Sequence, residues 1–198
     1  ANGGSRDIEL AVEACQQALP VWRQLTIEQR TQYLFRLAEL IEANIEELAL
    51  LESQDTGKPV SLAKVVDIPR SAKNFKFFAQ AMSQFSSDFY QDGQHLHYVH
   101  HQPVGIIGCI SPWNLPLYLF SWKIAPALAA GNCVVAKPSE VTPMTAYLLS
   151  EICQEAGMPP GVLNILHGLG PSVGQAIVEH PSIKVISFTG GTKTGEHL

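Results

Sequence analysis

The residues able to do chemistry fall in two stretches of the chain. In the first, from Ile110 to Glu140, Asn114 stands in a Pro-Trp-Asn-Leu-Pro turn held by Pro112 and Pro116. A side-chain amide on a rigid turn can donate a hydrogen bond to an oxygen that gains negative charge during a reaction; the same Asn can equally be a turn former. Lys137 and Glu140 stand three residues apart, where the apolar run CVVAK ends. Glu140 can accept hydrogen bonds from ribose hydroxyls, with Lys137 as a cationic donor to the same sugar. A carboxylate there disfavours a 2′-phosphate, which points to NAD rather than NADP. As a surface ion pair the two would contribute at most about 1 kcal/mol. In the second stretch, Gly168-Leu169-Gly170-Pro171-Ser172-Val173-Gly174 and Ser187-Phe188-Thr189-Gly190-Gly191-Thr192 each follow an apolar run and open a helical pattern. The first is GxGxxG with one residue extra, a departure from the plain dinucleotide fingerprint. The second can hold a pyrophosphate on its main-chain N–H groups. Either glycine turn alone also suits close packing or a flexible bend; two in one sheet favour a nucleotide site.

Positioning these residues requires strands and helices in alternation. From Pro103 onward, strands are expected over 104–110, 132–136, 162–166 and 183–187. Helices are expected over 116–129, 142–156, 171–179 and from about Thr192. Short apolar strands separated by helices build a parallel sheet with helices on both faces. Ligands then collect at the carboxyl ends of the strands. Asn114, Lys137 and Glu140 all belong to that end and are expected near one another. Before the sheet the chain is helical. Ile8, Val12, Cys15 and Leu19 recur at helical spacing after Asp7, read as a cap, and residues 1–6 read as a flexible start or a cut end. Thr26 and Gln29 form a capping box for a helix whose apolar face runs from Tyr33 to Leu51, with a break near Asn44 and a stop at Gly57 and Pro59. A third helical region, 60–88, contains Pro69, which should kink or split it, and a Phe75, Phe78, Met82, Phe85 stripe read as core. Residues 94–101 read as an exposed or edge strand after a turn at Gly93. The fold class is therefore α/β: an N-terminal helical segment (1–102) ending in an edge strand, then a Rossmann-like parallel sheet with helices on both faces (103–198).

Bulk properties narrow the partners. The 198 residues carry 13 basic and 18 acidic side chains, a net charge of −5, with no basic cluster. Phosphate-backbone binding needs many Lys and Arg contacts, so nucleic acid is excluded as a partner. The apolar run from Leu115 to Ala130 contains Lys123 and is shorter than the ~20 residues a membrane span needs. Cys15, Cys109, Cys133 and Cys153 are scattered and lack metal-ligand spacing, which reads as reduced structural thiols of a cytoplasmic protein. Four histidines lie between His95 and His101; on a strand His95, His97 and His101 share a face, but no carboxylate or cysteine completes a metal set.

PWNLPL (112–117), AGNCVVAKPSE (130–140), GMPPGVLNILHG (157–168) and ISFTGGTKTG (186–195), in that order, resemble the NAD(P)-dependent aldehyde dehydrogenase superfamily, and ESQDTGKP (52–59) resembles its N-terminal helical segment. DIPRSAKNFKFFA (67–79) together with the Asn114 region is similar to the 2-aminomuconic and 2-hydroxymuconic semialdehyde dehydrogenases. The resemblance implies that Asn114 stabilises the oxyanion formed on the aldehyde. It implies cofactor contacts from Ile110, Ser111, Pro112 and Trp113, from Lys137, Ser139 and Glu140 at the adenosine ribose, from Gly170 and Gly174, and from Phe188, Thr189, Gly190, Gly191 and Thr192 at the pyrophosphate turn. Where Gly191 stands, family members usually carry Ser. Arg70 matches an arginine that binds a substrate carboxylate, for which a guanidinium fork is suited, though a purely structural Arg is also consistent. The family's nucleophilic Cys and general-base Glu lie in downstream motifs outside residues 1–198, and none of the four cysteines matches the nucleophile. The expected role is the cofactor portion of an NAD-dependent enzyme that oxidises a small aldehyde and assembles as a dimer or tetramer when full length. A short nucleotide-binding or interaction module is the alternative.

Overall fold

A computed structural model of the chain describes residues 2–198. Its centre is a four-stranded parallel sheet built from β3 (Ile106–Ile110), β4 (Cys133–Lys137), β5 (Leu163–Ile165) and β6 (Ile183–Phe188), in the spatial order β5-β4-β3-β6. β3 and β4 are buried along their whole length. That is why they read as unbroken apolar runs: a parallel strand covered on both faces has no polar side to alternate with. All four expected strands are present within a residue or two of their expected bounds.

Helix α6 (Pro116–Ala129) links β3 to β4, and α7 (Met144–Glu155) links β4 to β5. The path then crosses back over the sheet through a wide helical turn at Gly170–Gly174 and α8 (Gln175–Glu179) to reach β6 beside β3. Crossovers of one hand send a reversed connection to the opposite face. There α8 meets α1 (Ser5–Gln24), which lies along β4. The close fit explains Gly108: a Cβ there would stand 2.6 Å from both Ile177 of α8 and Ile186 of β6.

The helices behind α6 and α7 are α2 (Ile27–Ala43), α3 (Ile45–Thr56) and α5 (Ile68–Ser83). The Thr26–Gln29 capping box forms as expected, and Asn44 separates α2 from α3. Gly57 adopts φ 76° and ends α3, a conformation that favours glycine. The Pro69 expectation is resolved as a split. A single turn, α4 (Val60–Leu62), runs through a wide turn at Ala63–Asp67 into α5, and Pro69 sits in the first turn of α5, where its missing N–H is harmless.

Several sequence readings need correction. Ala1 lies outside the described residues, but the start of the chain is tied down: Gly3 N donates to His167 O at 2.9 Å, and α1 begins at Ser5. Asp7 is not the cap residue; it lies in the first turn, and its carboxylate accepts the Gly4 N–H at 2.8 Å. The third helical region stops at Ser83, so Phe85 falls past its end and is exposed, stacked edge-on against His101. Phe75 is fully buried, while Phe78 and Met82 are partly so. The 94–101 strand is half of an exposed hairpin, β1 (Phe89–Asp92) with β2 (His95–Tyr98). His101 lies beyond it, so the three histidines share no strand face, and no metal-holding group of His, Cys, Asp and Glu occurs among the described residues. No described helix is long and apolar enough to cross a membrane. One continuous apolar cluster joins the helices to the sheet, from Ile8 and Trp22 through Leu37 and Phe75 to Phe120, Val134 and Ile177.

Candidate functional site

The register of the sheet brings the site together. Ile110, the last residue of β3, lies opposite Lys137 of β4 on one side and Phe188 of β6 on the other. Two further bonds extend the ladder, Ser111 N to Lys137 O at 3.2 Å and Thr189 N to Ile110 O at 3.1 Å. The loops after the three strands therefore leave the sheet at one level. The path turns one way from β3 through β4 to β5 and the other way to β6, so the loops after β3 and β6 diverge. A crevice at such a reversal is the usual ligand position in open α/β sheets.

A cleft of about 800 Å³ opens there. It is lined by Ile110, Ser111, Pro112, Trp113 and Asn114 after β3, by Lys137, Ser139 and Glu140 after β4, by Gly170 and Gly174 in the wide turn, and by Phe188, Thr189, Gly190 and Gly191 after β6. Asn114, Lys137 and Glu140 share this one cleft, as their places at the strand ends required. Thr192, the first residue of α9 (Thr192–His197), is exposed and not part of the lining. Arg70 is also outside it, exposed on α5 with its guanidinium carbon 5.5 Å from the centre of the Tyr118 ring.

Lys137 is almost wholly buried, and its ammonium donates to Glu140 Oε2 at 2.8 Å and to Pro138 O at 3.0 Å. Burial acts against the Glu140 carboxylate, but the hydrogen bond and charge of Lys137, together with the Gly170 N–H, outweigh it and hold the pKa below its ordinary value. Glu140 is therefore ionised at neutral pH, with two-fifths of its side chain open to the cleft. The Ser111 hydroxyl is buried and has no hydrogen-bond partner among the described residues. A Cβ at Gly170 or Gly191 would meet no protein atom within 4 Å, so the main chain at both turns is bare toward the cleft. Gly190 differs, because a Cβ there would stand 2.4 Å from the Phe188 ring. An ionised acceptor, a buried cation, an orphan hydroxyl and two uncovered glycine turns suit a ligand carrying ribose hydroxyls and phosphates.

Some lining residues had no place in the sequence reading. Lys193, Thr194 and His197 project from α9, Gln175 from the start of α8, and Leu119 from α6. The spacing of Lys193 and His197, four apart on a helix, places them on one face and was a usable signal. In the sequence Lys123 is simply a charge interrupting an apolar helix. It is buried, its ammonium donates to Thr189 Oγ1 at 2.6 Å, and burial lowers its pKa.

None of the four cysteines resembles a nucleophile. All are buried and free. Burial pushes the thiols of Cys109 and Cys153 up to about 12, with Lys123 opposing the rise at Cys109. Cys15 is raised too, first by its hydrogen-bonded neighbour Cys133 and then by burial. A thiol must ionise to attack, so Cys15, Cys109 and Cys153 are poor nucleophiles.

Comparison with known proteins agrees with this geometry. The chain is 51% identical to the 2-aminomuconic semialdehyde dehydrogenase of Bos taurus, over 100% of this chain and 41% of that protein. It is 46% identical to the 2-hydroxymuconic semialdehyde dehydrogenase of Pseudomonas sp. strain CF600, over 100% of this chain and 42% of that one. The chain thus spans about two-fifths of the length of these curated relatives. Among solved structures, the NAD+ complex of an aldehyde dehydrogenase from Bacillus cereus superposes with a TM-score of 0.97 at 38% identity, covering 100% of this chain and 41% of that chain. The family model described as the aldehyde dehydrogenase family matches residues 1–198, and this chain, with its cleft at the strand ends, belongs to that family.

Proposed function

We propose that this chain is the cofactor-binding portion of an NAD-dependent dehydrogenase that oxidises an aldehyde to a carboxylic acid. The observation that carries the reading is the cleft itself. It sets an ionised Glu140, paired with a buried Lys137, and two bare glycine turns beside the amide-bearing turn of Asn114. NAD, when bound, supplies the hydride acceptor. Glu140 and Lys137 hold the adenosine ribose, with Ser139 beside them. Gly170 and Gly174 allow close approach on the adenine side. Gly190 and Gly191 present main-chain N–H groups to the pyrophosphate, with Thr189, whose own N–H is bonded to Ile110 O, and Thr192 on either side, and Ile110 to Trp113 and Phe188 wall the cofactor. The Glu140 carboxylate repels a 2′-phosphate, which favours NAD over NADP. Asn114 donates its amide to the oxygen that gains charge when a nucleophile attacks the aldehyde carbon. The four cysteines are buried and none lines the cleft, so in this reading they do not supply the nucleophile.

The substrate class follows the named relatives, and Arg70 supports it. A semialdehyde of the muconic type carries a carboxylate at its far end. Arg70 is an exposed guanidinium over Tyr118, which lies in the first turn of α6, four residues after Asn114, and can clamp that group bidentately. The whole enzyme is further proposed to be a homo-oligomer. The exposed Phe89, Tyr90, Leu96 and Tyr98 of the β1–β2 hairpin offer an apolar surface for it.

Asn114→Ala in the full-length enzyme tests the central role. Removing one oxyanion donor lowers kcat by about 100- to 1,000-fold, while the Kd for NAD stays within about twofold. An unchanged kcat rejects the oxyanion role. Residues 1–198 alone, by contrast, should bind NAD without turning over aldehyde; turnover by them would place a nucleophile among the four cysteines after all.

A further inference from the structure

An oxyanion donor works only when placed to within a few tenths of an ångström, yet Asn114 sits on an exposed turn and its side-chain amide makes no hydrogen bond among the described residues. Helix α6 begins just after it without help of its own, for its cap residue Leu115 supplies no side-chain bond. Something outside the turn must hold it.

That support comes from the end of α3. Gly57 turns the chain back, and the Ser53 hydroxyl donates to Lys58 O at 2.6 Å, which fixes where Lys58 points. The Lys58 ammonium has three protons and three acceptors: Asp67 Oδ2 at 2.8 Å, Glu52 Oε1 at 3.1 Å and the main-chain oxygen of Asn114 at 3.5 Å. No other group meets Asn114 O among the described residues. Glu52 and Asp67 are 0% and 2% exposed. The ammonium thus lies between two buried carboxylates and is held in place from two sides. Asp67 lies at the junction of the wide turn and α5, so the anchor is built from two separate helical elements. Burial pushes the Glu52 carboxyl up, opposed first by Lys58 and more weakly by the Leu117 N–H in the first turn of α6, and its second oxygen has no hydrogen-bond partner among the described residues. An anion facing a free helix N-terminus is favourably placed.

We propose that Lys58, clamped by Glu52 and Asp67, is a positioning residue that holds the Asn114 turn in register for catalysis. The proposal rests on the oxyanion reading of Asn114. It assigns a catalytic consequence to a stretch of the N-terminal helical segment that lies 56 residues before the site it serves.

The test is a double-mutant cycle in the full-length enzyme, with NAD and an aldehyde, using Lys58→Met, Asp67→Asn and Asn114→Ala. Lys58→Met should lower kcat by about 10- to 100-fold, the range for an ångström-scale misplacement, with the Kd for NAD within about twofold of the parent. Asp67→Asn keeps one carboxylate for Lys58 and relaxes the clamp, so it should give a smaller kcat loss, and it decides the matter if Lys58→Met does not fold. Lys58→Arg, which restores charge with altered geometry, should recover part of the rate. In the Asn114→Ala background neither substitution should lower kcat further by more than about twofold, because the group being positioned is gone. A kcat loss that adds fully to that of Asn114→Ala overturns the proposal, as does an unchanged kcat in both clamp variants or a loss of NAD affinity parallel to the loss of rate. An unchanged kcat in Asn114→Ala alone overturns the oxyanion reading and this proposal with it.

Discussion

Replacing Glu140 by Gln probes the cofactor pocket with the least disturbance. Gln is nearly the same size, and its amide oxygen can still accept from the Lys137 ammonium that now sits 2.8 Å from Oε2. What is lost is the charge. A hydrogen bond to a charged group contributes about 1.5–3 kcal/mol. Two-fifths of this side chain is open to solvent, which favours the lower end. The expected loss of NAD affinity is therefore about 10-fold. The response to NADP should run the other way. A 2′-phosphate about 5 Å from the carboxylate is repelled by about 1–3 kcal/mol per unit charge between the limits of water and a protein surface. Relief of that repulsion is about 5- to 150-fold in NADP affinity, so with the about 10-fold loss for NAD the NADP-to-NAD preference should rise by about 50- to 1,500-fold in the variant. Trp113 lines the cleft and is exposed to it, so quenching of its fluorescence reports binding directly. The pH dependence carries a sign. The folded pKa of Glu140 lies below its ordinary 4.5, so the carboxylate's contribution is fully present above that value and is lost only as pH falls through the lower one. NAD affinity of the parent should stay flat from about pH 8 to about pH 5 as far as this group is concerned. Equal NAD and NADP affinities in parent and Glu140→Gln would refute the ribose role and return the Lys137–Glu140 pair to a structural ion pair.

Arg70→Met should raise KM about 10-fold or more for aldehydes that carry a carboxylate, consistent with loss of a charge-assisted bidentate pair, and leave simple aldehydes unaffected; an unchanged preference would reject the clamp. Peptide mapping after treatment of the folded full-length enzyme with iodoacetamide should find Cys15, Cys109, Cys133 and Cys153 unmodified, because all four are buried; rapid labelling of any of them would contradict the packing of β3, β4, α1 or α7. Gly108→Ala should destabilise by about 1–3 kcal/mol through overpacking, since the new methyl would meet Ile177 and Ile186 at 2.6 Å; a melting temperature equal to the parent's would show that α8 can move away.

Much of the architecture was legible because burial on both sides leaves a distinctive trace. VGIIGCI and CVVAK have no polar alternation, and the polar residues that follow them stand at strand ends by necessity. Caps were legible where the side chain acts locally, as in Thr26 with Gln29 and in Gly57. Local reading failed where a partner lies far off in the chain. Asp7 looked like a cap residue, yet the helix starts earlier because Gly3 is bonded to His167 and Gly4 provides the turn. Phe85 has the spacing of a core residue, but the helix that would have turned it inward ends at Ser83.

The sequence by itself determined the chemistry available: an amide on a proline-held turn, a Lys and a Glu three residues apart, and two glycine turns opening helices. Composition and hydrophobic period are properties of neighbours along the chain, so they survive without coordinates. The strand ends already put Asn114, Lys137 and Glu140 at one end of the sheet; only the tertiary structure decided that both glycine turns open into the same cleft and that Arg70 and Thr192 do not line it. The register that sets Ile110 opposite both Lys137 and Phe188 comes from strand pairing across the sheet, and no local pattern encodes it. The tertiary structure alone also joined Lys58 to Asn114, and Lys123 to Thr189, because those bonds depend on how α3, α5 and α6 stack against one another and against the sheet.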